Sequence, residues 1–288
     1  MRDIAPPSPA VVVAIDGSRR ALNVALWAVD EALVRDLPLR LLYAIEPHET
    51  ARLDSLCTAH DFAVAESAVR HAAMAIESTN RPVKIEVEIV YERKLTALAK
   101  ASQSAAMLCV DAAGVGEAPG THRGAELAQL LDQSHCLVAV INGDEPGQRD
   151  RFIVTGFTDS PECPTVLGHA IDEARLRHTA LRVVTGWRPR FTDIHDSHAT
   201  AEGNRHAKVN LEHALARYRL LYPEVDIEAI AVAGSPINYL ANHVDTVGLI
   251  VLGHDTANQL TELGDPGLYA ALTDLHCSVL IAPRYGPW

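Results

Sequence analysis

The chain is poor in aromatic residues, which make up 5% of its 288 positions, and poor in positive charge, with 25 Lys and Arg against 37 Asp and Glu. A formal charge of −12 and a pI near 5.6 leave no basic footprint for nucleic acid or an anionic membrane surface, so neither is expected as a partner. No apolar run approaches the ~20 residues of a membrane-spanning helix; the longest, residues 11–15 and 247–252, have strand length. Residues 1–10, MRDIAPPSPA, carry no apolar stretch of signal-peptide type and read as a flexible lead. The five cysteines (Cys57, Cys109, Cys136, Cys163, Cys277) are odd in number and show no CxxC or CxH spacing. They read as small buried hydrophobes in a reducing cytoplasm. Three catalytic or cofactor signatures are missing as well. There is no GxxxxGK[ST] and no GxSxG, and after Gly114-Val-Gly116 the third glycine of GxGxxG is replaced by Pro119. P-loop hydrolases, dinucleotide-binding dehydrogenases and α/β-hydrolases are thereby excluded as first readings. What is present is 48% hydrophobic residues, enough for the core of a cytoplasmic globular protein.

The chain also repeats itself. Shifted by 142 residues, it matches itself without a gap from residue 10 to residue 122, with 25 identities in 113 positions. Composition alone would give roughly eight. Ala28, Asp30-Glu31-Ala32 fall on Ala170, Asp172-Glu173-Ala174, and Leu39-Arg40 on Leu181-Arg182. Pro47 falls on Pro189, His71-Ala72 on His213-Ala214, and Val83, Ile85-Glu86 on Val225, Ile227-Glu228. Units of this size indicate a duplicated domain rather than a solenoid of short repeats. The turn-rich stretch at 142–148 is the natural junction. The expected organisation is a lead over 1–10, a first domain over 11–143, a linker over 144–150 and a second domain over 151–288.

Each copy alternates strand and helix signals. In the first, apolar β-branched runs at 11–15, 39–45, 85–90, 107–110 and 137–141 are separated by helical patterns at 21–34, 60–76, 95–105 and 125–133. Near-continuous apolar strands between helices imply a parallel sheet covered on both faces. The expected fold class is therefore α/β, two similar Rossmann-like domains, each a five-stranded mainly parallel sheet. Ligands of such sheets sit beyond the carboxyl ends of the strands. That directs attention to the loop at Asp16-Gly17-Ser18 and to the glycine-rich loop at 114–124.

An opening strand that ends in Asp-Gly-Ser, five βα units, and a late glycine loop before a helix and an apolar last strand resemble the universal stress protein family. The duplication resembles its tandem two-domain members, and the likeness covers the chain beyond its first ten residues. In the nucleotide-binding branch of that family the fourth strand is followed by Gly-x2-Gly-x9-Gly-Ser/Thr. The glycines let backbone amides approach phosphates, and a helix N-terminus completes the anion site. An aspartate after the first strand handles the adenosine end. The resemblance therefore implies ATP or a related adenine nucleotide in the first domain. Asp16 would take the place of the family's aspartate, Ala44 would lie near the base, and Asp111, Gly114, Arg123, Gly124 and Ala125 would form the phosphate loop. Here the sequence departs from the family, with Asp111 for the first glycine, Ala125 for the hydroxyl residue and Glu126 directly after it. Carboxylates beside phosphate call for a divalent cation such as Mg²⁺ or for a ligand with fewer phosphates. In the second copy Asp16 becomes Thr158, and the loop reads Gly253-His-Asp-Thr256 with Pro266 where the next glycine belongs.

Two functional readings stay open. The first is a non-enzymatic stress protein that binds adenine nucleotide; the second is a nucleotide-free interaction module on the same scaffold. A weak nucleotide hydrolase is a third, lacking an evident base or metal pair. The expected partners are adenine nucleotide and an unidentified protein. The two copies are expected to form an intrachain pseudo-dimer through their last strands (137–141 and 279–282), with a homodimer as a further option. Ser18 and Ser160 read as helix N-caps. The cluster His195, His198, Glu202, His206 and His213 reads as a solvated loop and helix rather than a zinc site. The pairs Asp30-Glu31 and Asp172-Glu173 read as solvated helix face, and His135 and His276 as turn residues.

Overall fold

A computed structural model describes residues 8–47, 55–115, 125–142, 151–189, 196–236, 246–257 and 277–284, together with Tyr239 and His243. The chain divides into two compact units, one running to Pro146 and the other over Gly147–Arg284. In the first unit the strands are β1 (Val11–Ala14), β2 (Leu39–Ile45), β3 (Ile85–Tyr91), β4 (Met107–Asp111) and β5 (Leu137–Ile141). The helices are α1 (Arg19–Val34), α2 (Ser55–Glu77), α3 (Lys94–Ser102) and α4 (Ala125–Gln133). The strands lie in the order β3-β2-β1-β4-β5, every neighbouring pair parallel. Right-handed crossovers then place α1 and α2 on one face and α3 and α4 on the other. Accordingly α1 packs with α2, and α3 with α4. Strands β1, β4 and β5 are buried along their whole length, whereas the edge strand β3 is half-exposed. That burial pattern is why the central runs read as uninterrupted apolar sequence.

The second unit repeats the plan with β6 (Phe152–Gly156), α5 (Cys163–Arg177), β7 (Leu181–Trp187), α6 (Ser197–Leu221), β8 (Ile227–Ala233), β9 (Val247–Gly253) and β10 (Ser278–Ala282). Its order is β8-β7-β6-β9-β10, again parallel throughout. The expected α/β class with two similar five-stranded parallel sheets is what the chain adopts. No helix among the described residues is long and apolar enough to cross a membrane.

Local devices recur at the 142-residue interval. Helix α1 ends at Asp36, whose φ of 52° is left-handed, and the Leu37 amide donates back to the Ala32 carbonyl at 2.9 Å. Helix α5 ends at His178 with φ 51°, and the Thr179 amide donates to Ala174 O at 3.1 Å. Both are helix C-terminal motifs normally built on glycine. Ser18 caps α1 as expected, its Oγ accepting from the Ala21 amide at 3.1 Å. Ser160 does not cap α5; its Oγ accepts from the Glu162 amide at 3.3 Å, and Glu162 itself is the first flanking residue of the helix. Helix α5 starts two residues later in the repeat than α1, with Pro161 before it and Pro164 in its first turn.

The solvated-face reading of the two Asp-Glu pairs is half wrong. Asp30 and Asp172 are exposed, but Glu31 and Glu173 are 0% and 1% exposed. Each is neutralised one turn later, by Arg35 and Arg177. Helical periodicity had assigned both members of the pair to one polar face, but a charge with an i,i+4 partner can be carried into the core. His198, His206 and His213 lie exposed on α6, the solvated-helix arrangement; His195 lies outside the described residues. His135 stands in the turn between α4 and β5, its amide donating to Ser102 Oγ at 3.3 Å, while His276 lies outside the described residues. Cys109, Cys136, Cys163 and Cys277 are buried, and none of them forms a disulfide. Burial pushes the Cys136 and Cys277 thiols up to about 12, and raises that of Cys163.

Candidate functional site

Strand order reverses between β1 and β4 in the first unit and between β6 and β9 in the second. At such switch points the loops leaving two neighbouring strands diverge to opposite faces and open a crevice at their carboxyl ends. The first unit places Asp16 and Asp111 on the two sides of that crevice, Asp16 two residues after β1 and Asp111 as the last residue of β4.

Asp16 is exposed, and its Oδ1 accepts from the Ser18 amide at 2.8 Å. The tight turn needs Gly17, whose φ is +84°; a Cβ there would also come within 3.3 Å of Ala68 on α2. Tyr43 and Ala44 follow on β2, both half-buried. Burial raises the Tyr43 phenol, with further contributions from the Asp16 and Asp61 carboxylates, so these three groups share one corner of the crevice. On the other side Asp111 is 7% exposed. Its Oδ2 accepts from the Gly114 amide at 3.2 Å, and both carboxylate oxygens accept from Arg20 Nε, at 3.2 and 3.0 Å. Lys94, at the start of α3, donates to the Gly114 carbonyl at 2.8 Å, while its backbone amide donates to Glu46 at 3.1 Å. Glu126 lies in the first turn of α4, whose backbone begins at Ala125. Arg123 and Gly124 lie outside the described residues.

The structure thus brings Asp16, Ala44, Asp111 and Gly114 to one end of one sheet. It adds two residues the sequence reading missed, Arg20 and Lys94. Arg20 stands 91 residues from the carboxylate it pairs with, and Lys94 20 residues from the carbonyl it holds. The only sequence signal for Lys94 was its place directly after the third strand. Arg20 pairs with the carboxylate that replaces the family's glycine, and Lys94 holds the turn that follows it.

The second unit builds the same corner differently. Position 162, which matches Arg20 in the repeat, is Glu162, and position 253, which matches Asp111, is Gly253. The Glu162 carboxylate lies over Gly253 so closely that a Cβ there would meet it at 2.2 Å. Its oxygens accept from the Asp255 amide at 3.5 Å and the Thr256 hydroxyl at 3.4 Å. Thr158 Oγ1 accepts from the Ser160 amide at 3.4 Å, reproducing the Asp16 turn with a neutral residue. Gly186 replaces Ala44, and a Cβ at that point would lie 2.4 Å from the Gly234 carbonyl and 2.9 Å from Pro236. The exit loop of β8 therefore occupies the space that a side chain at position 186 would need. Among the described residues no three His, Cys, Asp or Glu side chains come together to hold a metal ion.

Comparisons with known proteins agree with this architecture. The model of the universal stress protein family matches residues 9–142. One universal stress protein of Mycobacterium tuberculosis is 39% identical over 276 residues, covering 95% of each chain. A second from the same species is 38% identical over 261 residues, covering 91% of this chain and 94% of its own. The crystal structure of a universal stress protein from Archaeoglobus fulgidus covers 96% of this chain and 97% of its own with a TM-score of 0.69 at 14% identity, a likeness of fold. By sequence over nearly its full length, the chain belongs to the universal stress protein family.

Proposed function

We propose that the chain is a non-enzymatic stress protein that takes up an adenine nucleotide, ATP or AMP, in its first unit, between the Asp16 turn and the loop after β4. Each compact unit is one domain of the family, 11–143 and 151–288, joined by 144–150, and the protein works in the cytoplasm on behalf of an unidentified protein partner. The observation that carries the reading is the crevice in the first unit. It has an exposed carboxylate at Asp16 for a ribose, the half-buried Ala44 for a base, and the cations Arg20 and Lys94 near the Gly114 turn for phosphate oxygens. Arg20 also supplies the counter-ion that Asp111 requires, so Mg²⁺ would be held by Glu126 and the phosphates alone, and would shield that carboxylate from them. In the second unit Glu162 and Pro236 take the corresponding places, which favours the first unit as the binding one.

A nucleotide-free interaction module is the second reading. It is favoured by the same two carboxylates, Asp111 and Glu162, each of which already accepts from a backbone amide of the loop that would receive phosphate. Mass spectrometry of small molecules that copurify with the full chain separates the two, followed by calorimetric titration with ATP and AMP with and without Mg²⁺. On the nucleotide reading, Asp16→Ala abolishes binding and Thr158→Ala leaves it nearly unchanged. Equal losses would show that the wrong unit has been chosen, and no binding of either nucleotide would leave the interaction module standing.

A further inference from the structure

A groove of about 600 Å³ opens in the first unit between α3 and strands β2 and β3, with Arg40, Leu42, Glu86, Val90, Ala97 and Ala101 among its walls. It shares no residue with the crevice at Asp16 and Asp111. Its floor is a guanidinium that is 8% exposed. Arg40 Nε and Nη2 donate to Glu86 at 3.3 and 3.1 Å, and Nη2 also donates to the Ser8 carbonyl at 3.2 Å. Nη1 makes no hydrogen bond among the described residues; its near neighbour is the Glu88 carboxylate, 3.9 Å away.

The repeat shows what this nitrogen is shaped to meet. Arg182 and Glu228 stand 142 residues after Arg40 and Glu86, and Arg182 Nε donates to Glu228 at 2.7 Å. There, however, Arg182 Nη1 donates to the Tyr239 hydroxyl at 3.3 Å. Tyr239 stacks on His243 with ring centroids 4.1 Å apart, and the guanidinium lies 3.5 Å from the centre of the Phe152 ring. The first-unit counterparts of Tyr239, His243 and Phe152 are Ala97, Ala101 and Ala10. The arginine and its carboxylate are kept, and the rings that cover them are deleted. We infer that the first-unit groove is a binding site for a small molecule bearing a phenol. The ring lies against Ala97 and Ala101 where the second unit carries Tyr239 and His243, and the hydroxyl oxygen accepts from Arg40 Nη1.

The chemistry is complementary on both counts. An electron-rich ring face is attracted by a guanidinium, the more so where water is largely excluded. A hydroxyl acceptor also gives Nη1 a hydrogen bond that Glu88, at 3.9 Å, does not supply. The volume falls in the ordinary range for small-ligand sites and exceeds one ring, so the natural ligand extends beyond the phenol along the groove.

The test is a titration of the full chain with p-cresol, followed by ligand-observed NMR, with toluene as the matched ring lacking the hydroxyl. Saturable binding of p-cresol at least tenfold tighter than that of toluene is expected, and it persists in saturating AMP. Ala97→Tyr, which plants the second unit's own phenol in the groove, abolishes it, with the thermal midpoint recorded to verify folding. Arg40→Lys, which keeps the charge and loses the planar donor fork, weakens it at least tenfold and serves if Ala97→Tyr does not fold. Absence of saturable binding, equal affinity for toluene, displacement by AMP, or binding undiminished in folded Ala97→Tyr or in Arg40→Lys would each overturn the assignment.

Discussion

The two units use one backbone plan and place a carboxylate at the same point, over the loop that leaves the fourth strand, but they supply it from opposite sides. In the first unit it rises from the strand end as Asp111 and is held by Arg20 from α1. In the second it descends from the helix start as Glu162 onto Gly253, which must be glycine to leave room for it. Loop amides attract an anion whatever its source. The comparison teaches that the demand for negative charge belongs to the fold, while the residue that meets it is open to exchange. It also explains why motif spacing alone misjudged the corner. A carboxylate at position 111 looks like a flaw in a phosphate loop until its partner, far away in sequence, is seen.

The largest effect is expected where the units agree. Replacing Arg35 by Leu removes an ion-pair partner of the fully buried Glu31, and Arg177→Leu does the same to Glu173. Breaking a buried pair by removing one member costs about 3–5 kcal/mol. Chemical denaturation of the two variants should give losses of similar size, additive in the double variant because the sites are independent. A loss confined to one unit would break the symmetry.

Exchange of the differing corner comes next. Gly253→Asp alone sets a second carboxylate against Glu162 and should destabilise by about 2 kcal/mol, within the ~1–4 kcal/mol of close like charges. Adding Glu162→Arg recreates the first unit's pair and should recover most of that loss. A double-mutant cycle measures the coupling, and a value near zero would mean that the two corners are not interchangeable.

The thiols sharpen the comparison by titration. Cys136 and Cys277 match between the units, and burial holds both near 12. An unfolded thiol ionises near pH 8.5. Below that pH both states are protonated and the stabilisation is complete. As pH rises toward 12 only the unfolded chain releases the proton, and stability falls by about 1.4 kcal/mol per pH unit for each thiol. Denaturation between pH 8 and 10.5 should show the slope reduced by the same amount, up to about 1.4 kcal/mol per pH unit, in Cys136→Ala and in Cys277→Ala.

The smallest effect concerns the left-handed helix ends. Asp36→Gly and His178→Gly relieve a conformation that costs a non-glycine residue about 1 kcal/mol, and each should raise the unfolding free energy by ~0.5–1 kcal/mol. A loss on either substitution would show that the native side chain contributes more than its strain.

Much of the fold was legible because the central strands are buried on both faces. The runs at β2 and β5 and the helical pattern of α4 coincide with the structure at both ends. What could not be read was long-range pairing. Nothing local marks Arg20 as the partner of Asp111 or Glu162 as the occupant above Gly253, since each contact spans more than 90 residues. The burial of Glu31 and Glu173 did have a signal. Arg35 and Arg177 match at the same 142-residue interval, and a repeated i,i+4 pair of opposite charge is a better guide to a paired core charge than the helical period is. Within the candidate site, Asp16 and Gly114 were legible from the turn chemistry their loops require, whereas Lys94 had only its position to mark it.

The strand order has a consequence for how the chain is made. β1 leaves the ribosome before the strands it pairs with, β2 on one side and β4 on the other, and it is the central strand of its unit. Val11 therefore waits for Met107, roughly a hundred residues later, which at ~5–20 residues per second is of order ten seconds of synthesis. Throughout that interval the run Val11–Ala14 has one unpaired edge and no charge to protect it. β6 repeats the delay, pairing with β9 by way of Phe152 and Val247. The chain thus presents an unpaired apolar strand twice during its own translation. Its yield at high temperature is expected to depend on holdase chaperones more than its folded stability would suggest.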